Sequence, residues 1–171
     1  MELVYSSREL IPIGYTDSYF ASDREARKSI SGFVYLLGGG AVCWRSVKQD
    51  CIADSTTEAE YVAASEACKE AVWLRKFLTD LGCVPAAVEP ITLYCDNSGA
   101  VAQAKDPRNH QKQKHMERKY HIVRRYQRQG EVSVTQIASA DNVADPFTKA
   151  LPVQFFDKHV DAMGLRTIFT S

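Results

Sequence analysis

Four acidic residues stand at positions suited to chemistry. Asp17 closes "IPIGYTD", in which Ile11, Ile13, Tyr15 and Asp17 alternate onto one face of an expected strand. Asp96 closes "ITLYCD", where it shares a face with Thr92 and Tyr94. Strand ends are where α/β folds place ligands. Asp145, in "ADNVADPFTKAL", falls in the first turn of an expected terminal helix with Pro146 beside it and Asp141 as N-cap. The positive end of a helix dipole tolerates a carboxylate there. The fourth acid lies in "STTEAEY", where Glu58 and Glu60 are one residue apart. With Ser55 as N-cap, Ser-x-x-Glu forms a capping box, which gives Glu58 a structural task. At about 100° per residue, Ala67, Ala71 and Leu78 fall close to the direction of Glu60, flanked by Ala63, Ala64, Leu74 and Leu81. Glu58 is about 160° away, in line with Lys69, Lys76 and Asp80. Glu60 is therefore expected inward and Glu58 outward. A carboxylate on a buried face is costly unless a charge or metal answers it.

One Glu and three Asp from separate segments can converge on an oxygen-rich site of the kind hard divalent cations such as Mg²⁺ prefer. Two such ions about 4 Å apart would activate water and stabilise the leaving oxygen of an in-line phosphoryl displacement.

The elements that must position these acids read as follows. "SGFVYLLGGG" and "AVCWRS" form a hairpin around Gly38, Gly39 and Gly40. No Gly-Lys-Ser/Thr follows those glycines, which argues for a turn and against a phosphate loop. A long helix is predicted from about Ser55 to Leu81, stopped by Gly82 and Pro85. A short strand runs from Ile91 to Asp96, and a short helix from about Asn97 to Ala104, ended near Pro107. A basic helix covers about Lys114 to Gln129, and "EVSVTQIA" alternates as a last strand. "VQFFDKHVDAMGL" reads as a further amphipathic helix. The order βββ-α-β-α-α-β-α predicts an α/β fold, a mixed sheet with helices on its faces.

At 171 residues, 45% hydrophobic and 25% charged, the chain suits a single domain with a compact core. It has no apolar run long enough for a membrane helix and no secretory h-region. The five cysteines are scattered without a CxxC, as expected for reduced thiols. Net charge is zero, yet residues 105–128 hold nine Lys and Arg against two acids. Such a stripe can face a polyanion or simply solvent. Lys114, Arg118 and Arg125 lie near one helical face and could follow a phosphate backbone. His110, His115 and His121 lack the spacing of a zinc site. No serine sits in a nucleophile elbow.

"GYTDS", "RKSISGFVYLLGGGAVCWRSVKQ", "STTEAEYVAASEACKEAVWLRKFL", "LYCDNSGAVAQAKDP", "KHMERKYHIVRR" and "ADPFTKALP" together span roughly residues 14–165. On these motifs the chain resembles the ribonuclease H domain of copia-type LTR retrotransposon Pol polyproteins, plant elements in particular. The resemblance implies a ribonuclease H-like fold with a five-stranded mixed sheet, its first three strands antiparallel. It implies a metal-dependent endonuclease that cuts the RNA strand of RNA/DNA hybrids during reverse transcription, leaving 5′-phosphate and 3′-hydroxyl ends. Asp17 would bridge two Mg²⁺ ions, with Mn²⁺ able to stand in. Glu60 and Asp96 would hold the ion on the leaving-group side, and Asp145 would complete the site of the ion that activates water. Ser55, Thr56 and Thr57 match a region that touches the substrate backbone, and Asn97 is a weaker candidate for that task.

The implied partners are the RNA/DNA hybrid and the reverse transcriptase domain of the same polyprotein, with no membrane. The implied setting is a cytoplasmic virus-like particle or the nucleus. Residues 1–10 would be the remainder of a connecting segment and 151–171 a helical tail. Two features depart from the family pattern. The loop before Asp145 lacks the histidine many ribonucleases H carry, and Glu117 stands where Asp is more usual. The competing readings are another two-metal nuclease of the same fold, and a non-catalytic nucleic-acid-binding module that tethers a polymerase.

Overall fold

The computed structural model describes residues 1–5, 10–23, 25–82, 84, 89–105 and 114–167; within 114–120 the only side chain described is that of Lys119. Pro85, Pro107 and His110 lie outside the described residues, as do the side chains of Lys114, His115, Glu117 and Arg118.

Three antiparallel strands open the main sheet: β2 (Ile13–Asp23), β3 (Lys28–Leu37) and β4 (Gly40–Lys48), after a short β1 (Glu2–Leu3). The β3–β4 hairpin turns on Gly38 and Gly39, both with positive φ, a conformation that glycine adopts without steric cost. Helix α1 (Thr56–Leu81) crosses to β5 (Ile91–Cys95), and α2 (Ser98–Lys105) and α3 (Lys114–Arg128) lead to β6 (Val132–Gln136). The sheet order is β4-β3-β2-β5-β6, with β2, β5 and β6 parallel to one another. Helix α4 (Val153–Ala162) and β7 (Leu165–Arg166) close the chain, β7 pairing with β1. The predicted mixed five-stranded sheet is the one observed.

Hydrophobic packing occupies both faces. On one, Ala67, Cys68, Ala71, Leu74 and Leu78 of α1 meet Phe33, Tyr35, Leu93 and Val134 of the sheet. The Tyr35 hydroxyl, buried there, donates to the Ala67 carbonyl at 2.7 Å. The stripe read from the sequence is thus the packed face, except that Leu81 is exposed in the last turn. On the opposite face Val34 and Ala41 pack under Val143, Ala144, Val160 and Met163. Gly82 ends α1 in the left-handed region, as expected.

One expected element is absent. "DNVADPFTKALP" forms a short 3₁₀ turn, Asp145–Phe147, instead of a terminal helix, and another, Ser139–Asp141, leads into it. Asp141 caps nothing; its carboxylate accepts from Lys158 Nζ at 2.8 Å. The segment is tied down from the side, which leaves no run of residues free to wind. Asn142, fully buried, donates from Nδ2 to the Thr16 carbonyl at 3.0 Å and accepts the Ala144 N–H.

Candidate active site

Strand register brings the first two acids together. In the parallel pair β2–β5, Thr16 lies opposite Cys95, so the next residue along each strand is an acid, Asp17 and Asp96. Asp17 is buried, whereas Asp96 is half-buried.

Glu60 comes to the same place from α1. Its Oε1 accepts the Ser18 N–H at 3.1 Å, and the Cys95 thiol points at Oε2 from 3.9 Å. Ser55 caps the helix by accepting the Glu58 N–H at 3.2 Å. The helix start is also held by Gln49, whose buried amide donates to Ser31 Oγ at 2.8 Å and to the Ala59 carbonyl at 2.9 Å. Glu60 is inward, as expected. Glu58 is a correction: it is only 3% exposed. Its Oε2 takes the N–H of Asp54, the residue before the cap, at 2.6 Å, where a capping box would engage Ser55. That reach back over the helix start folds the side chain under the incoming loop, away from the direction that helical angle alone assigns.

Asp145 arrives on the second 3₁₀ turn, and its neighbours complete the site. Gly32 lies opposite Asp17 in the β2–β3 register. A Cβ on Gly32 would meet Thr148 Cγ2 at 2.7 Å and Phe147 Cβ at 2.8 Å. The missing side chain therefore lets 145–148 settle on the sheet. Thr148 then donates its hydroxyl to Asp17 Oδ2, with the Asp145 carbonyl also in reach at 3.0 Å. Lys149 Nζ sits 3.0 Å from Asp145 Oδ1 and 3.7 Å from Asp17 Oδ2. A three-residue turn supplies little dipole, so the charge that answers Asp145 is Lys149.

Carboxylate oxygens of Asp17, Asp96 and Asp145 lie within 4.8 Å of one another, and so do donor atoms of Glu60, Cys95 and Asp96. Asp96 belongs to both groups, whereas Asp17, the expected bridge, belongs to the first. The Cys95 thiol is held protonated, chiefly by burial and then by Glu60, which leaves the oxygens as the effective donors. Crowding these acids in a dry place resists their ionisation. Burial, then Asp17 and Asp96, push Glu60 up to about 9. Burial raises Asp17 to about 6, against the opposing pull of Thr148 and Lys149. Asp145 Oδ1, buried and short of a well-aligned hydrogen bond among the described residues, is answered by the Lys149 ammonium at 3.0 Å. An all-oxygen set short of positive charge fits a hard divalent cation.

The substrate-contact candidates divide. Thr57 sits against Gly99, beside the Asp96–Asn97 turn, while Thr56 is exposed. Asn97 is engaged as the cap of α2, its Oδ1 accepting the Ala100 N–H at 2.9 Å. Arg125 is exposed on α3. Arg124, from the same basic run, is buried and donates to the Gln103 carbonyl at 3.4 Å, so part of the apparent stripe is internal.

Sequence reasoning passed over Gln49, Asn142, Thr148 and Lys149. All are polar partners whose meaning depends at least in part on contacts far along the chain. It also passed over His159 of α4, buried and within electrostatic reach of Asp145 and Asp141. Burial, the largest cause, lowers its pKa.

No protein-family model matches the chain. It is 36% identical over 165 residues to the retrovirus-related Pol polyprotein from transposon TNT 1-94 of Nicotiana tabacum, covering 96% of this chain and 12% of that protein. It is 31% identical to the corresponding polyprotein from transposon RE1 of Arabidopsis thaliana, over 90% of this chain and 10% of that one. Among solved structures, LC11-RNase H1 in complex with an RNA/DNA hybrid superposes with a TM-score of 0.59 at 16% identity, covering 80% of this chain and 93% of that one. The chain spans about an eighth or less of these two polyproteins. Over nine-tenths or more of its length it is homologous to one segment of the retrovirus-related Pol polyproteins of plant transposons, and it has a ribonuclease H fold.

Proposed function

We propose that this segment is a divalent-cation-dependent ribonuclease H that cuts the RNA strand of RNA/DNA hybrids during reverse transcription, leaving 5′-phosphate and 3′-hydroxyl ends. The observation that carries the reading is the convergence of Asp17, Glu60, Asp96 and Asp145, from four separate parts of the chain, on one buried oxygen-rich site. The substrate class is supported by the hybrid bound to LC11-RNase H1 and by the Pol polyprotein relatives. On that ground we also assign it the reverse transcriptase of the same polyprotein as partner, and a place in cytoplasmic particles or the nucleus.

Asp17, Asp96 and Asp145 would hold one Mg²⁺ or Mn²⁺, and Glu60 with Asp96 a second. Such a pair, when bound, supplies a water of lowered pKa and neutralises charge on the departing oxygen. The chain's own residues prepare that site. The Ser18 N–H fixes one oxygen of Glu60. Thr148 fixes one oxygen of Asp17. Thr57 and the Asp96–Asn97 turn form the rim beside the acids, where a nucleic-acid backbone would lie. Exposed Arg125 would add phosphate contacts that carry no sequence preference.

Labelled RNA/DNA hybrid, RNA duplex, DNA duplex and single-stranded RNA, each incubated with the chain and Mg²⁺ or Mn²⁺, test the reading. Cutting confined to the RNA of the hybrid is expected. Equal cutting of duplex DNA would favour another nuclease of this fold.

A further inference from the structure

The strongest unassigned feature is the ammonium group inside the acid site. Asp17 and Asp145 face each other with side chains only 2% and 11% exposed, and Lys149 Nζ lies between them. The Lys149 side chain is 33% exposed, so its stem has a way out to solvent. Its backbone is fixed: the Lys149 N–H donates to the Asp145 carbonyl at 3.2 Å, which sets the spacing of the pair. Building on the cation-dependent reading above, we propose that Lys149 is the internal counter-ion of this site. Without divalent cations it holds Asp17 and Asp145 together, and it must leave when a divalent cation takes the same oxygens.

The argument is one of shared ligands. An ion that takes oxygens from Asp17, Asp96 and Asp145, all within 4.8 Å of one another, needs the Asp145 Oδ1 that Lys149 now faces. An ammonium at that distance would also repel a divalent charge. Lysine suits the exchange, because a compact charge on a flexible four-carbon stem can swing clear. Whatever Lys149 contributes to the cation-free fold is therefore subtracted from the free energy of cation binding. The consequence is a threshold: the site assembles without cations, yet loads only when their concentration outcompetes the built-in one.

Calorimetric titration of Mn²⁺ and Mg²⁺ into the wild type, Lys149→Met, Lys149→Gln and Asp145→Asn tests this, beside thermal melts in EDTA. The expected result is affinity about tenfold tighter in both Lys149 variants, with melting temperatures in EDTA below that of the wild type and a larger rise on adding Mn²⁺. Unfolding of both variants in EDTA that Mn²⁺ reverses is the same result read through stability. If the wild type binds, Asp145→Asn does not, and the Lys149 variants bind equally or more weakly, this inference is overturned while the cation reading stands. Absence of binding by the wild type and both Lys149 variants overturns the cation reading and this inference with it.

Discussion

The two glutamates of "STTEAEY" show how much one residue of spacing decides. Both are buried, but the Glu58 carboxylate is answered by the Asp54 N–H at the helix start, whereas Glu60 faces two other acids. Glu58→Gln should cost about 1 kcal/mol in denaturant unfolding and leave hybrid cleavage nearly intact. Glu60→Gln should raise the melting temperature in EDTA, since it removes a buried acid that burial and its neighbours penalise, and should abolish cleavage. The same crowding gives a pH signature. Asp17 and Glu60 have folded pKa values near 6 and 9, above their ordinary 3.8 and 4.5. Between those limits the folded chain holds protons that the unfolded chain has released. Stability without cations should therefore fall as pH rises from about 4 to 9. Saturating Mg²⁺ should flatten that decline, because ionised carboxylates bind the cation best. Thermal melts across this range, with EDTA and with Mg²⁺, check both slopes; a cation-free stability that rose with pH would contradict the assignment.

At the scale of elements, the site depends on a glycine and an asparagine that bring the 3₁₀ segment onto the sheet. Gly32→Ala should push Thr148 and Phe147 off β3, costing about 1–3 kcal/mol. Asn142→Ala should leave the Thr16 carbonyl unpaired at a similar cost. Both should weaken cleavage by displacing Asp145, and should reduce Mn²⁺-induced stabilisation in thermal melts. Helix α1, the hairpin and the strands β5 and β6 were legible because their signals are local: a small-residue stripe, a run of glycines, short apolar strands. The 3₁₀ turns and the burial of Glu58 were not, because each follows from partners remote in sequence. Thr16 holds Asn142 from 126 residues away. Asp17 and Asp96 could be read as ligand candidates because α/β folds place ligands at strand ends, and Glu60 because a carboxylate on a buried helix face needs an answering charge; Asp145 was read from an expected helix start that is a 3₁₀ turn. Thr148 and Lys149, inside "PFTKALP", violate nothing until the fold sets them against Asp17.

For the molecule as a whole, zero net charge conceals an uneven distribution of charge along the chain, and hybrid binding should be salt-dependent in spite of it. Arg125→Ala should lower affinity about equally for unrelated hybrid sequences and reduce the slope of log affinity against log salt by about one, measured by fluorescence anisotropy. Arg124→Ala should instead lower stability, since that side chain ties α3 to the end of α2. Everything proposed for this chain requires that the four acids act together to hold divalent cations. The most direct measurement is cleavage of an end-labelled RNA/DNA hybrid by the wild type and by Asp17→Asn, with Mg²⁺ and with EDTA, using the chain alone and joined to the reverse transcriptase proposed as its partner. The wild type should cut the RNA strand with Mg²⁺ and not with EDTA, and Asp17→Asn should bind the hybrid without cutting it. Cutting that persists in Asp17→Asn or in EDTA, or a wild type that binds hybrid and never cuts it in either form, would contradict the proposal.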